Sequence, residues 1–153
     1  MSGGSYWVNP PFEDGTILAT CDHLESLFAQ PTLTHVPLSF VIVFPSRPDT
    51  AHHRAFAHSS WCETHITLPQ TDHGFYLGAQ HAASTKQQRT VTTKQGNTSA
   101  DSKQVLLRAS NHDSSVFVMR NAAAQRRWGP MGDTKERELR RAFRVHDGGQ
   151  EGK

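Results

Sequence analysis

Leu38-Ser39-Phe40-Val41-Ile42-Val43-Phe44 is the segment that most limits what this chain can fold into. It is almost continuously apolar, rich in β-branched and aromatic residues, and bounded by Pro37 and Pro45. A strand that is covered on both faces has this composition, as in a parallel sheet flanked by helices. We therefore predict a buried strand over residues 38–44.

The residues before this run predict a strand followed by a helix. Ser5-Tyr6-Trp7-Val8 is short, aromatic and β-branched, and it leads into two prolines. From Glu13, with Asp14 beside it at the favourable N-terminal end, apolar residues recur at helical spacing. These apolar positions are Ile17, Leu18, Cys21, Leu24, Leu27 and Phe28. Strand, helix and buried strand in this order indicate an α/β domain.

The later part of the chain predicts further elements around one polar stretch. We expect a weak helix at 50–58 and strands at 63–68, 105–107 and 116–119, the last two joined through Asn111-His112-Asp113. A closing helix is expected at 134–145. Residues 84–103 contain almost nothing apolar and predict a flexible insertion loop. The Gly-rich tail 147–153 predicts disorder, which leaves one domain over residues 1–146.

Composition argues against several classes of protein. The 153 residues carry a net charge of only +2, which is too small for a protein that grips a long stretch of nucleic-acid backbone by itself. Two cysteines are too few for a disulfide framework. We find no secretory signal, and no apolar run is long enough to cross a membrane.

The loop Asn9-Pro10-Pro11-Phe12 has the residue types that an exocyclic amine requires. The lone pair of adenine N6 is delocalised into the ring, so methyl transfer to it is helped by acceptors that hold the amine. Asn9 offers a side-chain carbonyl and Pro10 a backbone carbonyl. The prolines stiffen the loop because φ is fixed and they have no N–H. Phe12 offers a flat face on which an extruded base can stack.

The alternative is that these four residues form only a turn that ends a strand. Two consecutive prolines occur at about one position in 400 by composition alone. An acceptor before them and an aromatic residue after them make a chance match rarer. The loop also follows a strand, and ligands in open α/β sheets bind outside the carboxyl ends of strands. We therefore favour the interpretation as an amine site.

The sequence around this loop resembles the phosphorylated CTD-interacting factor 1 family. Two segments carry most of the resemblance, Val8-Asn9-Pro10-Pro11-Phe12-Glu13 and Pro37 to Pro45. His65 to Pro69, Gly78-Ala79-Gln80-His81 and Trp128-Gly129-Pro130 continue it in the same order. It covers about residues 5–144 and is interrupted by the polar stretch 84–103.

The resemblance implies a cap-specific mRNA methyltransferase that modifies N6 of the cap-adjacent 2′-O-methyladenosine. Asn9 and Pro10 would hold the amine, Pro11 would keep the loop rigid, and Phe12 would stack on the adenine. The methyl donor would be S-adenosylmethionine, with no metal. The implied partners are the capped 5′ end of mRNA and the phosphorylated C-terminal domain of RNA polymerase II, and the implied location is the nucleus.

The implied fold is the C-terminal part of a Rossmann-like methyltransferase sheet with an antiparallel C-terminal hairpin. In that fold the donor-binding strand, a Gly-rich turn and an acidic ribose ligand precede the catalytic strand. We do not find them here, so the donor site is expected upstream and the chain alone is expected to be inactive. We also expect the family's WW domain to be absent. Without the preceding strands, Tyr6, Trp7 and residues 38–44 would lie at an exposed apolar edge.

Two other functions remain open. One is a related amino-methyltransferase that acts on adenine in DNA or in another RNA. The other is a non-catalytic module that binds the phosphorylated C-terminal domain of RNA polymerase II.

The histidines and cysteines give weaker signals. Cys62 and His65 have ligand-like spacing, with His52, His53 and His58 nearby. Side chains at that spacing in a regular strand point to opposite faces, so no metal site is predicted. Cys21 falls on the apolar face of its helix and is expected to pack in the core instead of acting as a nucleophile. Gly3-Gly4 is interpreted as a flexible start.

Overall fold

The structure is a computed structural model that describes residues 3–76 and 107–144. The predictions for 78–81, for the insertion loop 84–103 and for the tail 147–153 lie outside these residues, as do positions 105, 106 and 145.

The described residues form six strands and four α-helices, and strands and helices alternate only as far as β3. The elements are β1 (Gly4–Val8), α1 (Asp14–Phe28), a 3₁₀ turn (Pro31–Leu33), β2 (Leu38–Pro45), α2 (Ala51–His58), β3 (Cys62–Leu68), β4 (Gly74–Tyr76), β5 (Leu107–Ala109), β6 (Ser114–Arg120), α3 (Ala122–Trp128) and α4 (Asp133–Ala142). The predicted α/β class is confirmed.

Four of these strands form one mixed sheet in the order β1-β2-β6-β3. β1 and β2 are parallel, whereas β6 runs antiparallel to both β2 and β3. β2 is buried on both faces, as its apolar sequence predicts.

An antiparallel hairpin is present, and it is longer than the sequence indicates. β4 pairs with β5, and β3 pairs with β6. The strands expected at 105–107 and 116–119 therefore follow one another along the same arm of the hairpin and do not face each other.

Helices cover both faces of the mixed sheet. On one face, α1 and α2 pack on a core that includes Ile17, Cys21, Leu24, Phe28, Phe40, Ile42, Phe44, Phe56, Phe117 and Met119. On the other face, Leu139 of α4 and Phe143 just after it pack on Val43, Ile66, Leu68 and Val116. The apolar face predicted for α1 is thus the face that the structure buries.

The prediction of an exposed apolar sheet edge is right for Tyr6 and Trp7 and wrong for residues 38–44. Tyr6 is 47% exposed and Trp7 is 55% exposed on β1, which lies at one edge of the mixed sheet. Residues 38–44 are not at an exposed edge, because β1 and β6 flank β2 and helices cover its faces.

The first glycines are ordered, contrary to the prediction of a flexible start. Gly4 begins β1, and its N–H donates to the Pro37 carbonyl at 2.9 Å. A Cβ added to Gly3 would lie 2.1 Å from the same carbonyl oxygen. Glycine at position 3 therefore lets the chain pass close to Pro37.

Candidate functional site

The Asn9–Phe12 loop lies at the sheet edge where several strands end or begin. It follows the carboxyl end of β1, which is parallel to β2. Pro45 at the end of β2 and Leu68 at the end of β3 both pair with Ser114, the first residue of β6. The loops after β1, β2 and β3 and the loop before β6 therefore meet at one edge, where open α/β sheets bind ligands.

The loop is held locally by the start of α1. The Glu13 N–H donates to the Pro11 carbonyl at 2.8 Å, and the Glu13 carbonyl accepts from the Ile17 N–H at 2.9 Å. Pro10 is buried, whereas Asn9 and Pro11 are exposed. Within residues 3–76 and 107–144 no hydrogen bond reaches the Asn9 side chain. The Asn9 side-chain amide is therefore available to hydrogen-bond a ligand.

Phe12 is 45% exposed and contacts a second aromatic ring. Its ring centroid lies 6.0 Å from that of His112, and the two planes meet at 70°, an edge-on contact. This distance and angle are typical of favourable aromatic pairs. His112 comes from the loop before β6, so the contact joins two loops that are far apart in sequence.

Arg47, in the loop after β2, holds the backbone of Phe12. Its Nη2 donates to the Phe12 carbonyl at 3.4 Å, and its Nη1 lies 3.2 Å from Asp14 Oδ1. The buried His52 places Nδ1 3.6 Å from the same carboxylate oxygen. Burial lowers the pKa of His52, and the Asp14 charge opposes that shift. Arg47 and Asp14 thus join the loops after β1 and β2.

The protonation state of His112 follows from its neighbours. Nδ1 lies 2.8 Å from Oδ1 of Asn111, and a carbonyl oxygen can only accept, so Nδ1 carries the proton. Nε2 is buried and has no hydrogen-bond partner among the described residues. Burial, with His73 and Arg47, lowers the pKa of His112, while Asp113 opposes the shift. The imidazole at neutral pH is therefore uncharged.

A family model described as the phosphorylated CTD interacting factor 1 WW domain matches residues 1–78, just over half of the 153 residues. The chain belongs to the phosphorylated CTD-interacting factor 1 family. No curated protein matches it. The matched residues include β1, α1, β2, α2 and β3, and therefore the Asn9–Phe12 loop.

The description of the matching model disagrees with one expectation. We expected the family's WW domain to lie outside this chain, yet the model that matches carries that description. The described part of the matched segment, residues 3–76, contains two α-helices, three strands of the mixed sheet and the short strand β4. In the described part of this family member, no helix has the length and apolarity to span a membrane.

The structure corrects the interpretation of Cys62 and His65. A register shift between Cys62 and Thr64 places Cys62 opposite Met119 and His65 opposite Phe117, which face the same core. The two side chains therefore share a face, which a regular strand would not allow. The His65 ring stacks on Phe117 at 4.2 Å. The described residues contain no group of three or more side chains that could hold a metal ion.

Cys21 is a core residue, as predicted. It is buried between α1 and the sheet. Burial, followed by Glu25 and Asp22, raises its pKa to about 12. The thiol is thus protonated at neutral pH and unsuited to nucleophilic attack.

Arg47 and His112 are the site residues that sequence reasoning missed. They lie 35 and 100 positions after Phe12, so no local pattern connects them with the loop. One signal was available. Arg47 follows a predicted strand, and residues after neighbouring parallel strands meet at one edge.

Proposed function

We propose that this chain carries the adenine-binding wall of an S-adenosylmethionine-dependent N6-methyltransferase that acts on the cap-adjacent 2′-O-methyladenosine of mRNA. The proposed residues are Asn9, Pro10, Pro11 and Phe12. The observation that carries the proposal is the exposed Asn9 amide, which lacks a partner among the described residues and lies beside a half-exposed Phe12. Membership of the family supports the choice of substrate.

The fold is compatible with this function. β1 and β2 form a parallel pair joined through α1, and the loop is at their carboxyl end. We propose that the mixed sheet is the C-terminal part of a Rossmann-like methyltransferase sheet. The antiparallel strand β6 and the hairpin to which it belongs agree with that assignment.

The chemistry of the loop follows from its rigidity and its acceptors. Oδ1 of Asn9 and the Pro10 carbonyl would accept the amine hydrogens and favour the pyramidal form, whose lone pair is free to attack. Arg47 and the Pro11 carbonyl hold the loop backbone, so these acceptors need little rearrangement when the base binds. Stacking on Phe12 contributes about 1–3 kcal/mol to base binding.

We place no donor site among the described residues. S-adenosylmethionine would supply the methyl group, and its ribose calls for a free carboxylate near the loop. Two carboxylates adjoin the loop. Arg47 and His52 already engage Asp14, whereas Glu13 is exposed and forms no ion pair with a described residue. A cavity of about 370 Å³ lies instead on the α4 face, beside Ser39 at the start of β2 and Arg120 at the end of β6. We assign no donor contact to these residues.

Asn9→Ala is the first test, made in an assembled and active methyltransferase domain that contains this chain. Removing a preorganised acceptor is expected to lower turnover on adenosine-capped RNA by about 100- to 1,000-fold. Donor affinity should change little, because Asn9 faces the base. Unchanged turnover would remove Asn9 from the mechanism.

Variants of Phe12 provide the matched control. Phe12→Ala should chiefly weaken capture of the RNA, while Phe12→Tyr and Phe12→Trp should keep part of it because they retain an aromatic face. Equal losses in all three variants would show that position 12 serves packing instead of stacking.

A non-catalytic module that binds the phosphorylated C-terminal domain of RNA polymerase II is the second candidate. It is favoured by the description of the matching family model. Arg126 and Arg127 lie in the last turn of α3 and are exposed, so they could pair with phosphates. Titration with phosphorylated and unphosphorylated heptad peptides separates the candidates. Phosphate-dependent binding that survives Asn9→Ala and Phe12→Ala would favour the module, whereas a related DNA methyltransferase would prefer adenine in DNA.

A further inference from the structure

Phe12 needs a fixed orientation if it is to stack on a base. Its backbone is held, because Arg47 Nη2 donates to the Phe12 carbonyl at 3.4 Å. Its ring, however, is 45% exposed and lies outside both hydrophobic core clusters. A ring that turned freely would lose that freedom on binding, and the loss would weaken the complex.

His112 is the aromatic ring that the described structure places against Phe12. The centroids are 6.0 Å apart and the planes meet at 70°. Such an edge-on contact is favourable, and it leaves the imidazole unable to stack on a base that lies parallel to Phe12. The contact with His112 therefore leaves at least one face of Phe12 open to a base.

The His112 loop is rigid enough to act as a support. The imidazole Nδ1 donates to Asn111 Oδ1 at 2.8 Å. The Asp113 carbonyl accepts from the Ser46 N–H at 2.8 Å, and its carboxylate accepts from the Gln70 N–H at 2.9 Å. The two Asp113 bonds tie the loop to the segments after β2 and β3, so the backbone next to His112 is anchored on two sides.

The geometry points to His112 as a positioning residue that fixes the Phe12 ring in the orientation used for stacking on adenine. This inference rests on the proposed function and adds a residue to the same site. It predicts that the aromatic ring at position 112, and not its ring nitrogen, supports base binding. Phenylalanine at this position should therefore replace histidine.

The test measures the affinity of the full 153-residue chain for adenosine by NMR titration, in the wild type and in His112→Ala, His112→Phe and Phe12→Ala. His112→Ala is expected to weaken binding about threefold to tenfold, the range of an aromatic pair contact. His112→Phe should retain wild-type affinity. In the Phe12→Ala background, His112→Ala should have no further effect, because there is no ring left to position.

If His112 served only to keep the chain folded, His112→Ala would weaken adenosine binding equally in the wild type and in the Phe12→Ala background. Thermal unfolding of each variant shows whether the fold is retained. Equal losses in His112→Ala and His112→Phe would show that a ring nitrogen is required, either on the ligand or on Asn111, and would overturn the positioning role. If Phe12→Ala weakens binding and His112→Ala does not, the inference fails while the base site stands. If Phe12→Ala leaves the wild-type affinity unchanged, the proposed base site fails, and the inference fails with it.

Discussion

Asn9 and Asn121 each follow directly after a strand, and the fold uses them in opposite ways. Asn121, after β6, is buried, and its side chain makes four hydrogen bonds. They join it to the Leu38 N–H, the Leu33 and Val36 carbonyls and the Ala124 N–H. Asn9, after β1, is exposed, and no described residue bonds its side chain. The two asparagines lie at opposite ends of the strands, because β6 is antiparallel to β2 while β1 is parallel to it. We call these two ends the edge with Asn9 and the edge with Asn121.

The ion pairs at these two edges differ in the same way. Arg120 and Glu63 are 5% and 11% exposed, with Nη1 and Oε2 3.1 Å apart. Arg47 and Asp14 are 45% and 60% exposed at 3.2 Å. A buried pair that loses one partner destabilises the fold strongly, whereas an exposed pair contributes little. Removing one partner is thus expected to cost more at the edge with Asn121 than at the edge with Asn9, where exposed polar groups stay available for a ligand.

Arg120→Met should have the largest effect on stability. The guanidinium also donates to the Gly129 carbonyl at 3.0 Å and to the Ala124 carbonyl at 3.4 Å. Its loss leaves Glu63 without a counter-charge, which is expected to cost about 3–5 kcal/mol of unfolding free energy. Urea denaturation measures this. Adding Glu63→Gln should recover part of the loss, because it removes the unpaired charge. A single-variant loss below about 1 kcal/mol would contradict the assignment.

Asn121→Ala comes next, with Asn9→Ala as its matched control. Removing Asn121 takes away the N-cap of α3 and leaves the buried Leu38 N–H without an acceptor. Together these losses should cost about 2–3 kcal/mol. Asn9→Ala should change the unfolding free energy by less than about 0.5 kcal/mol, because no described group depends on its side chain. Similar losses in the two variants would break the comparison between the edges.

Apolar composition and hydrophobic periodicity were enough to predict most of the longer elements. The runs that form β1 and β2, the alternation in β3 and the apolar face of α1 are visible because burial selects apolar residues. α3 was missed, since its three alanines give no amphipathic pattern over seven residues. The available signal was Asn121 before those alanines, a residue type preferred at N-caps. No sequence signal indicates the bulge between Cys62 and Thr64. Because of it, Cys62 and His65 lie on the same face of the sheet, whereas opposite faces were predicted.

The site was predictable only as far as it is local. Asn9 to Phe12 lie within four residues, so their chemistry can be read together. Their supports come from other loops, and only the sheet brings Arg47 and His112 to Phe12. Residue type and position after a strand do not by themselves distinguish Asn9 from Asn121. Their neighbours differ, with two prolines after Asn9 and three alanines after Asn121 that continue into a helix.

The pH dependence of the unfolding free energy tests a third part of the molecule, the buried histidine His53. Burial lowers the pKa of His53, and His65 and His52 lower it further. The unfolded chain, with a pKa near 6.5, then binds more protons than the folded one. Stability is full above that value and falls as the pH drops towards the folded pKa, by at most about 1.4 kcal/mol per pH unit for each proton. Urea denaturation between neutral and mildly acidic pH measures the slope.

His53→Gln should flatten this slope, since it removes one of the buried imidazoles. His23 is exposed on α1, and His23→Gln serves as the control for removing an imidazole at the surface. Equal slopes in the wild type and His53→Gln would show that His53 does not contribute to the loss of stability in acid.

Asp14→Asn should have the smallest effect on stability. It removes the exposed pair with Arg47 and a negative charge in the first turn of α1. Each contribution is at most about 1 kcal/mol at the surface. Arg47 keeps its bond to the Phe12 carbonyl, so the loop should stay in place, and the total loss is expected to be below about 1 kcal/mol. Glu136→Gln, which breaks the surface pair with Arg140 on α4, is the matched control. A loss above about 2 kcal/mol for Asp14→Asn alone would show that the Asn9 edge also carries stability, and the division between the two edges would no longer hold.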